Sequence, residues 1–214
     1  MLAIDLVVSV VTTIKGTVAL AKALPKFTKW IDDVLARRRT RKIASSFKRL
    51  ENGWRRGWTK EKVLEKLKGN RPNPKEYLRA EYIKQHLELF EKEGIASKIM
   101  TKEDYEKFGI GKPDIGKTEF VSRKSDIDDI LMLSLDEQSL KLGIPLEQTK
   151  KRNIVRIDFK LSKDVRVEMP SGNEWGANDK WLPGGVLPEG NLEAIIKTEG
   201  LKEGVHYTIK YLNK

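Results

Sequence analysis

The chain has no cysteine, two histidines and few aromatics, and each scarcity narrows what it can do. Without cysteine there is no disulfide framework, no thiolate zinc site and no cysteine nucleophile. Two histidines far apart in sequence argue against a histidine-rich metal centre. Long apolar runs are also missing. The longest uncharged stretch near the start, Leu6 to Ile14, has nine residues, against the ~20 a membrane-spanning helix needs. The only early charge is Asp5, whereas a secretory signal carries positive charge ahead of its apolar stretch. Carboxylates, hydroxyls, amides and cations remain to do any chemistry.

What the chain does have is positive charge, unevenly placed. Of 214 residues, the first 75 hold 19 Lys and Arg against 6 Asp and Glu, while residues 76–214 hold 23 against 25. A basic excess confined to the first third predicts two segments with different roles: a basic helical leader or linker over 1–75 and an α+β domain over 76–214. Val7, Val11, Ile14 and Val18 recur at helical spacing. The resulting amphipathic helix can pack on its own protein, touch a membrane or join a carrier chain. Arg37-Arg38-Arg39-Thr40-Arg41-Lys42 and the Trp54/Trp58 pair around Arg55 and Arg56 suit a solvated helix face, an anionic membrane or nucleic acid. Gly69-Asn70-Arg71-Pro72-Asn73-Pro74 breaks helix twice and marks the expected boundary.

Beyond it, Leu78, Tyr82, Ile83, His86, Leu87 and Phe90 form one stripe and predict a helix over 76–93, with His86 packed in the core. Ala96–Met100 and Thr118–Ser122 read as strands. Thr101 with Asp104, Ser125 with Asp128, and Ser134 with Glu137 read as helix N-caps. Ile154–Lys160 alternates, with Val155, Ile157 and Phe159 opposite Arg156, Asp158 and Lys160. Val165–Met169, Leu192–Lys197 and Val205–Leu212 supply three more strands. The expected fold is α+β: a basic helical N-terminal segment, then helices packed on a mostly antiparallel sheet. No glycine-rich phosphate fingerprint follows a strand.

One connection is out of proportion. Pro170–Asn191 is 22 residues with five Gly and three Pro, longer than a plain connecting loop. Trp175, Trp181, Val186 and Leu187 need a surface to pack on, while Asn173, Glu174, Asn178 and Asp179 bring polar groups to the same place. A functional loop is the expectation.

Several stretches resemble the C-terminal toxin domains of bacterial polymorphic toxins, the warheads of Rhs-repeat, contact-dependent inhibition and type VII secreted proteins. They are Glu81–Leu87 with Phe90, Ala96–Ile99, Gly111–Asp114, Glu119–Ser122, Pro170–Glu174, Gly176–Asn178 and Trp181–Gly185. The resemblance covers about 76–200. It implies synthesis in a bacterial cytoplasm, a carrier protein N-terminal to the domain, delivery into a target-cell cytoplasm and a cognate immunity protein.

The order of features is also similar to that of ADP-ribosyltransferase-like toxins and the NAD-degrading tuberculosis necrotizing toxin. In them a Gly/Pro turn precedes a central strand, here Lys112-Pro113-Asp114 before Phe120-Val121-Ser122, and a Glu heads a late strand, here Glu193. That likeness implies NAD as substrate, with no metal. Glu193 and Glu174 are the candidate catalytic carboxylates, and Lys98, Phe120, Ser122, Asn173, Trp175 and Asn178 the candidate cofactor-binding residues. The family's first strand usually offers an Arg for the phosphates, and Lys98 stands in its place. Cleaving the nicotinamide–ribose bond passes through an oxocarbenium-like state that a fixed carboxylate stabilises. The alternatives are a metal-independent ribonuclease using His206, Thr208 and Lys210, and a non-enzymatic interaction module.

Overall fold

In a computed structural model of the chain, residues 17–111, 116–151, 153–178, 181–188 and 190–212 are described. Val7, Val11, Ile14, Lys112-Pro113-Asp114 and Asp179 lie outside them. Two compact units divide at Lys42/Ile43. In the first, the described backbone is the start of helix α1 (Thr17–Glu51), where Arg37, Arg39 and Arg41 are exposed. No helix among the described residues is long and apolar enough to cross a membrane.

The second unit starts upstream of the expected boundary. Leu50 from the end of α1, Val63 from α2 (Lys60–Leu64) and Tyr77 from α3 (Pro74–Tyr77) share one buried core with Phe90 and Phe159. Pro72 and Pro74 therefore bend the chain inside this unit. Trp54 stacks on Tyr77 at 5.7 Å and Trp58 leans on the same ring at 6.0 Å. Both half-buried indoles pack on that ring.

The helix expected over 76–93 is two helices. Asn73 and Glu76 form a capping box and Pro74 opens α3, the pattern that starts helices. Leu78 is extended and bridges Trp54, so the stripe restarts in α4 (Ala80–Glu91), burying Tyr82, His86 and Phe90. β1 (Ile95–Thr101) follows, and the Thr101 hydroxyl caps α5 (Lys102–Phe108). β2 (Thr118–Arg123) leads into α6 (Lys124–Leu131), whose N-cap is Arg123 rather than Ser125. The Ser125 amide and hydroxyl instead donate to the Glu93 carboxylate. Ser134 and Glu137 form the expected capping box on α7 (Leu135–Leu142), and a short α8 (Leu146–Lys150) follows.

β3 (Ile154–Lys160), β4 (Val167–Glu168), β5 (Glu193–Lys197) and β6 (Tyr207–Tyr211) complete an antiparallel six-stranded sheet of order β4-β5-β2-β1-β3-β6. The architecture is α+β. One face of the sheet carries Ala96, Val121, Ile157, Phe159 and Ala194, buried with Tyr82 and Phe90. Burying each large apolar side chain contributes roughly 1.5–3 kcal/mol. The other face buries Ile99 and Ile154 against Ile127 and Ile130 of α6.

Candidate active site

Directly opposed residues of neighbouring strands share a face of the sheet. The register pairs Glu193 with Ser122, Ser122 with Ser97, Ser97 with Asp158, and Asp158 with Thr208. Five polar side chains thus form one rung across β5, β2, β1, β3 and β6. At this rung β1 and β2 also come apart. Their ladder comprises only Ala96–Arg123 and Ser97–Ser122, although β1 runs on to Thr101 and β2 begins at Thr118. Lys98 and Glu119 bridge the divergence with an ion pair of 3.2 Å, and Glu119 also accepts from the Gly111 amide at 2.9 Å.

Glu193 is the unusual member of the rung. Its backbone is clamped on both sides: the amide donates to the Gly185 carbonyl at 2.9 Å, and the carbonyl accepts from His86 Nε2 at 2.9 Å. Its carboxyl, by contrast, makes no hydrogen bond or ion pair among the described residues. Burial pushes this carboxyl up from its ordinary 4.5 to about 7, with Lys98 pulling it down and Glu174 pushing it further up. A partly buried, unpaired carboxyl poised at neutral pH is costly to fold around, and such groups concentrate at functional sites.

The shell behind it is built to hold that strand end. His86 is fully buried, and desolvation holds its imidazole down to about 4. It is a neutral donor to the backbone, in keeping with the packed role expected of it. Asp126, with no exposed surface, takes a two-point contact from Arg123 (2.6 and 3.2 Å) and accepts from the Leu192 amide at 3.1 Å. Gly185 has φ +64°, and a β-carbon there would lie 2.7 Å from the Glu193 carbonyl oxygen and 2.9 Å from the His86 ring. Gly185→Ala is therefore expected to cost about 2–4 kcal/mol from backbone strain and overpacking, and urea unfolding of variant and wild type measures it.

The long loop folds back onto the body of the unit. Both Glu174 carboxylate oxygens are occupied: one accepts from the Ser171 amide and hydroxyl, the other from the Gly172 amide, at 2.8–2.9 Å. Asn173 accepts from the amides of Gly69 and Arg71 and donates to the Arg71 carbonyl. Trp181 is buried under the Arg71 guanidinium, 4.6 Å from its ring centre. Lys68 donates to the carbonyls of Trp175 and Ala177. Lys68 together with Gly69 and Arg71 of the expected boundary segment thus anchors the loop.

The candidate residues divide accordingly. Glu193 and Ser122 are cross-strand neighbours, with Lys98 close enough to act electrostatically on Glu193. Glu174 and Asn173 have their polar atoms spent on the loop's own fold. Phe120 is buried beneath Gly176 rather than presented to a ligand. Trp175 is 52% exposed beside Lys68, and Asn178 is exposed. His206 accepts the Lys202 amide on Nδ1 at 2.9 Å, while Thr208 and Lys210 are exposed on edge strand β6, with Lys210 3.7 Å from Asp158.

Sequence reasoning missed Ser97, Arg156, Asp158 and Asp126. The alternation in Ile154–Lys160 showed that Arg156 and Asp158 share a face, but not that α6 covers it. No family model, curated protein or solved structure matches the chain.

Proposed function

We propose that this chain is an NAD-consuming toxin effector. It is delivered by a carrier into a target cell, where it works by ADP-ribosyl transfer or NAD hydrolysis and is neutralised by a cognate immunity protein. The observation that carries the reading is the placement of Glu193. It heads β5, opposite Ser122, where β1 and β2 part, and its carboxyl is unpaired and tuned near pH 7. A Glu at the head of a late strand facing a Ser on a central strand also fits an ADP-ribosyltransferase-like layout.

In the proposed reaction the bond between the nicotinamide nitrogen and the ribose C1′ breaks. Its electron pair leaves with nicotinamide, which becomes neutral. The oxocarbenium ion then captures water, or a nucleophile of a target macromolecule, with loss of a proton. Ionised Glu193 stabilises the developing cation and accepts a hydrogen bond from a ribose hydroxyl, while Ser122 supplies a second polar contact. The Arg usually found on the first strand is absent, and Lys98 is already paired to Glu119. The phosphates must be held by other groups.

The ribonuclease alternative draws less support, because His206 already accepts a backbone amide and its two companions lie on the sheet edge. Incubating the full chain separately with NAD and with total RNA tests both readings. Nicotinamide release that is lost in Glu193→Gln is the expected outcome. Discrete RNA fragments without nicotinamide release would overturn the proposal, and inactivity on both would favour an interaction module.

A further inference from the structure

Where the end of α1 meets the start of α4, Ser45, Lys48, Arg49, Asn52, Arg79 and Gln85 line an open groove of about 620 Å³, together with Tyr82 and Glu81. This is the size of a site for one nucleotide-sized molecule. Three cations face it against the single carboxylate of Glu81.

The unusual residue is Arg49. Its Nε and Nη2 atoms are buried and have no hydrogen-bond partner. Desolvation drives the guanidinium below its ordinary pKa, with Arg123 acting in the same direction, and the Tyr82 hydroxyl and Asp126 only partly offset this. Asp126 is itself committed to Arg123 and to the Leu192 amide. Two solvent-excluded guanidinium nitrogens without an acceptor, on an otherwise half-buried arginine, are a costly feature for a fold to keep, and an anion is a partner that would satisfy them.

A second observation points the same way. α4 is twelve residues long and begins at this groove, yet its N-cap residue Arg79 makes no side-chain capping bond. Its first-turn N–H groups and the positive end of its dipole therefore remain available to an anion. Arg79 spends its Nε on the Trp54 carbonyl at 3.1 Å and has no acidic partner among the described residues.

We propose that this groove binds a phosphate-bearing small molecule of nucleotide size. The Arg49 guanidinium makes the principal phosphate contact, and Lys48, Arg79 and the start of α4 surround it. Phosphate suits a forked guanidinium, which can bond two of its oxygens at once. The inference stands on residues separate from Glu193 and does not require the NAD reading.

Calorimetric titration of the full chain at low ionic strength, first with inorganic pyrophosphate and then with AMP, tests it. The variants are Arg49→Gln, Arg49→Lys and Arg79→Gln, with Lys160→Gln on the exposed end of β3 as a control. Saturable binding of at least one probe is expected. Arg49→Gln should weaken it tenfold or more, Arg49→Lys by a smaller factor, and Arg79→Gln three- to fivefold, with Lys160→Gln unchanged. Pyrophosphate alone binding assigns the site to the phosphate groups, and tighter AMP binding adds a nucleoside contact. No binding of either probe overturns the proposal, as does equal affinity in wild type and Arg49→Gln. If Arg49→Gln fails to fold, the exposed Arg79→Gln decides: an unchanged affinity there overturns the site.

Discussion

Glu193→Gln is expected to slow nicotinamide release by orders of magnitude and, at pH 8, to make the protein more stable. The two effects share one cause. In the wild type the ionised carboxyl sits partly desolvated with no partner, and that is what raises it to about 7. Between pH 4.5 and 7 the folded chain holds a proton at Glu193 that the unfolded chain has released. Stability therefore falls as pH rises through that window. Discounted for partial exposure, the penalty at pH 8 is on the order of 1–3 kcal/mol. The neutral amide escapes it, so the melting temperature should rise by roughly 3–8 °C at pH 8, and the gain should vanish at pH 4.

Activity moves the opposite way, because an amide cannot stabilise an oxocarbenium ion. A loss on the order of 100- to 1,000-fold is expected. In the wild type kcat/KM should rise with pH through a limb near 7 as the carboxyl ionises. A variant with full activity would remove Glu193 from the chemistry. A variant less stable than wild type at pH 8 would mean the side chain supports the fold.

Much of this arrangement was legible before the structure, and the failures have physical reasons. The Ser134/Glu137 box, the Thr101 cap and the strand from Ile154 to Lys160 follow local rules and stand where the pattern placed them. The Leu78–Phe90 stripe reads as one helix because periodicity does not register a single extended residue, and Leu78 takes that conformation to pair with Trp54. The 1–75 segment reads as a leader because charge dominates its composition. Composition does not weigh the few apolar side chains, Leu50, Val63 and Tyr77 around the Pro72–Pro74 turn, that lock it into the core. In the long loop the tryptophans imply a surface to pack on, which Trp181 finds and Trp175, 52% exposed, does not; Asn173 and Glu174, expected at a ligand, hold the loop itself. Side chains that hold a loop and side chains that hold a substrate have the same composition, and only hydrogen-bond partners separate them.

The rung of polar side chains was invisible for a further reason. Register is a long-range property, and no single strand announces which residue of another it will face. Glu193 and Ser122 are brought together by β5 inserting between β4 and β2. Loop anchoring then sets the site: Asn173 ties the loop to Arg71, Gly185 meets the Glu193 amide, and Asp126 holds Leu192. The Gly185 and Asp126 contacts fix backbone next to the carboxyl while leaving the carboxyl unpaired, so the cost of Glu193 is supported by rigid neighbours.

Asp158→Ala should be the most damaging substitution for the fold. Asp158 and Arg156 are both buried on the sheet face beneath α6. Arg156 donates to Asp158 at 2.6 Å, to Asp128 at 2.5 Å and to the Ser97 hydroxyl at 3.1 Å, while Ser97 donates to Asp158 at 2.5 Å. Burial works to lower the Arg156 pKa, and the bonds to Asp128 and Asp158 carry it above its ordinary value all the same. Removing Asp158 leaves a buried guanidinium with the partly exposed Asp128 as its remaining counter-charge and the Ser97 hydroxyl as its other acceptor, and takes the acceptor from Ser97. Breaking a buried pair in this way costs about 3–5 kcal/mol. Replacing both partners by apolar residues, Arg156→Met with Asp158→Leu, removes charge and counter-charge together and should cost less than the single change. Urea unfolding of the three proteins measures the difference. A single variant within about 1 kcal/mol of wild type would show that Asp128 alone satisfies Arg156 and that the network contributes little to holding β1 against β3. Urea unfolding also separates the two carboxylates of the rung: neutralising Asp158 is expected to lose stability, and neutralising Glu193 at pH 8 to gain it.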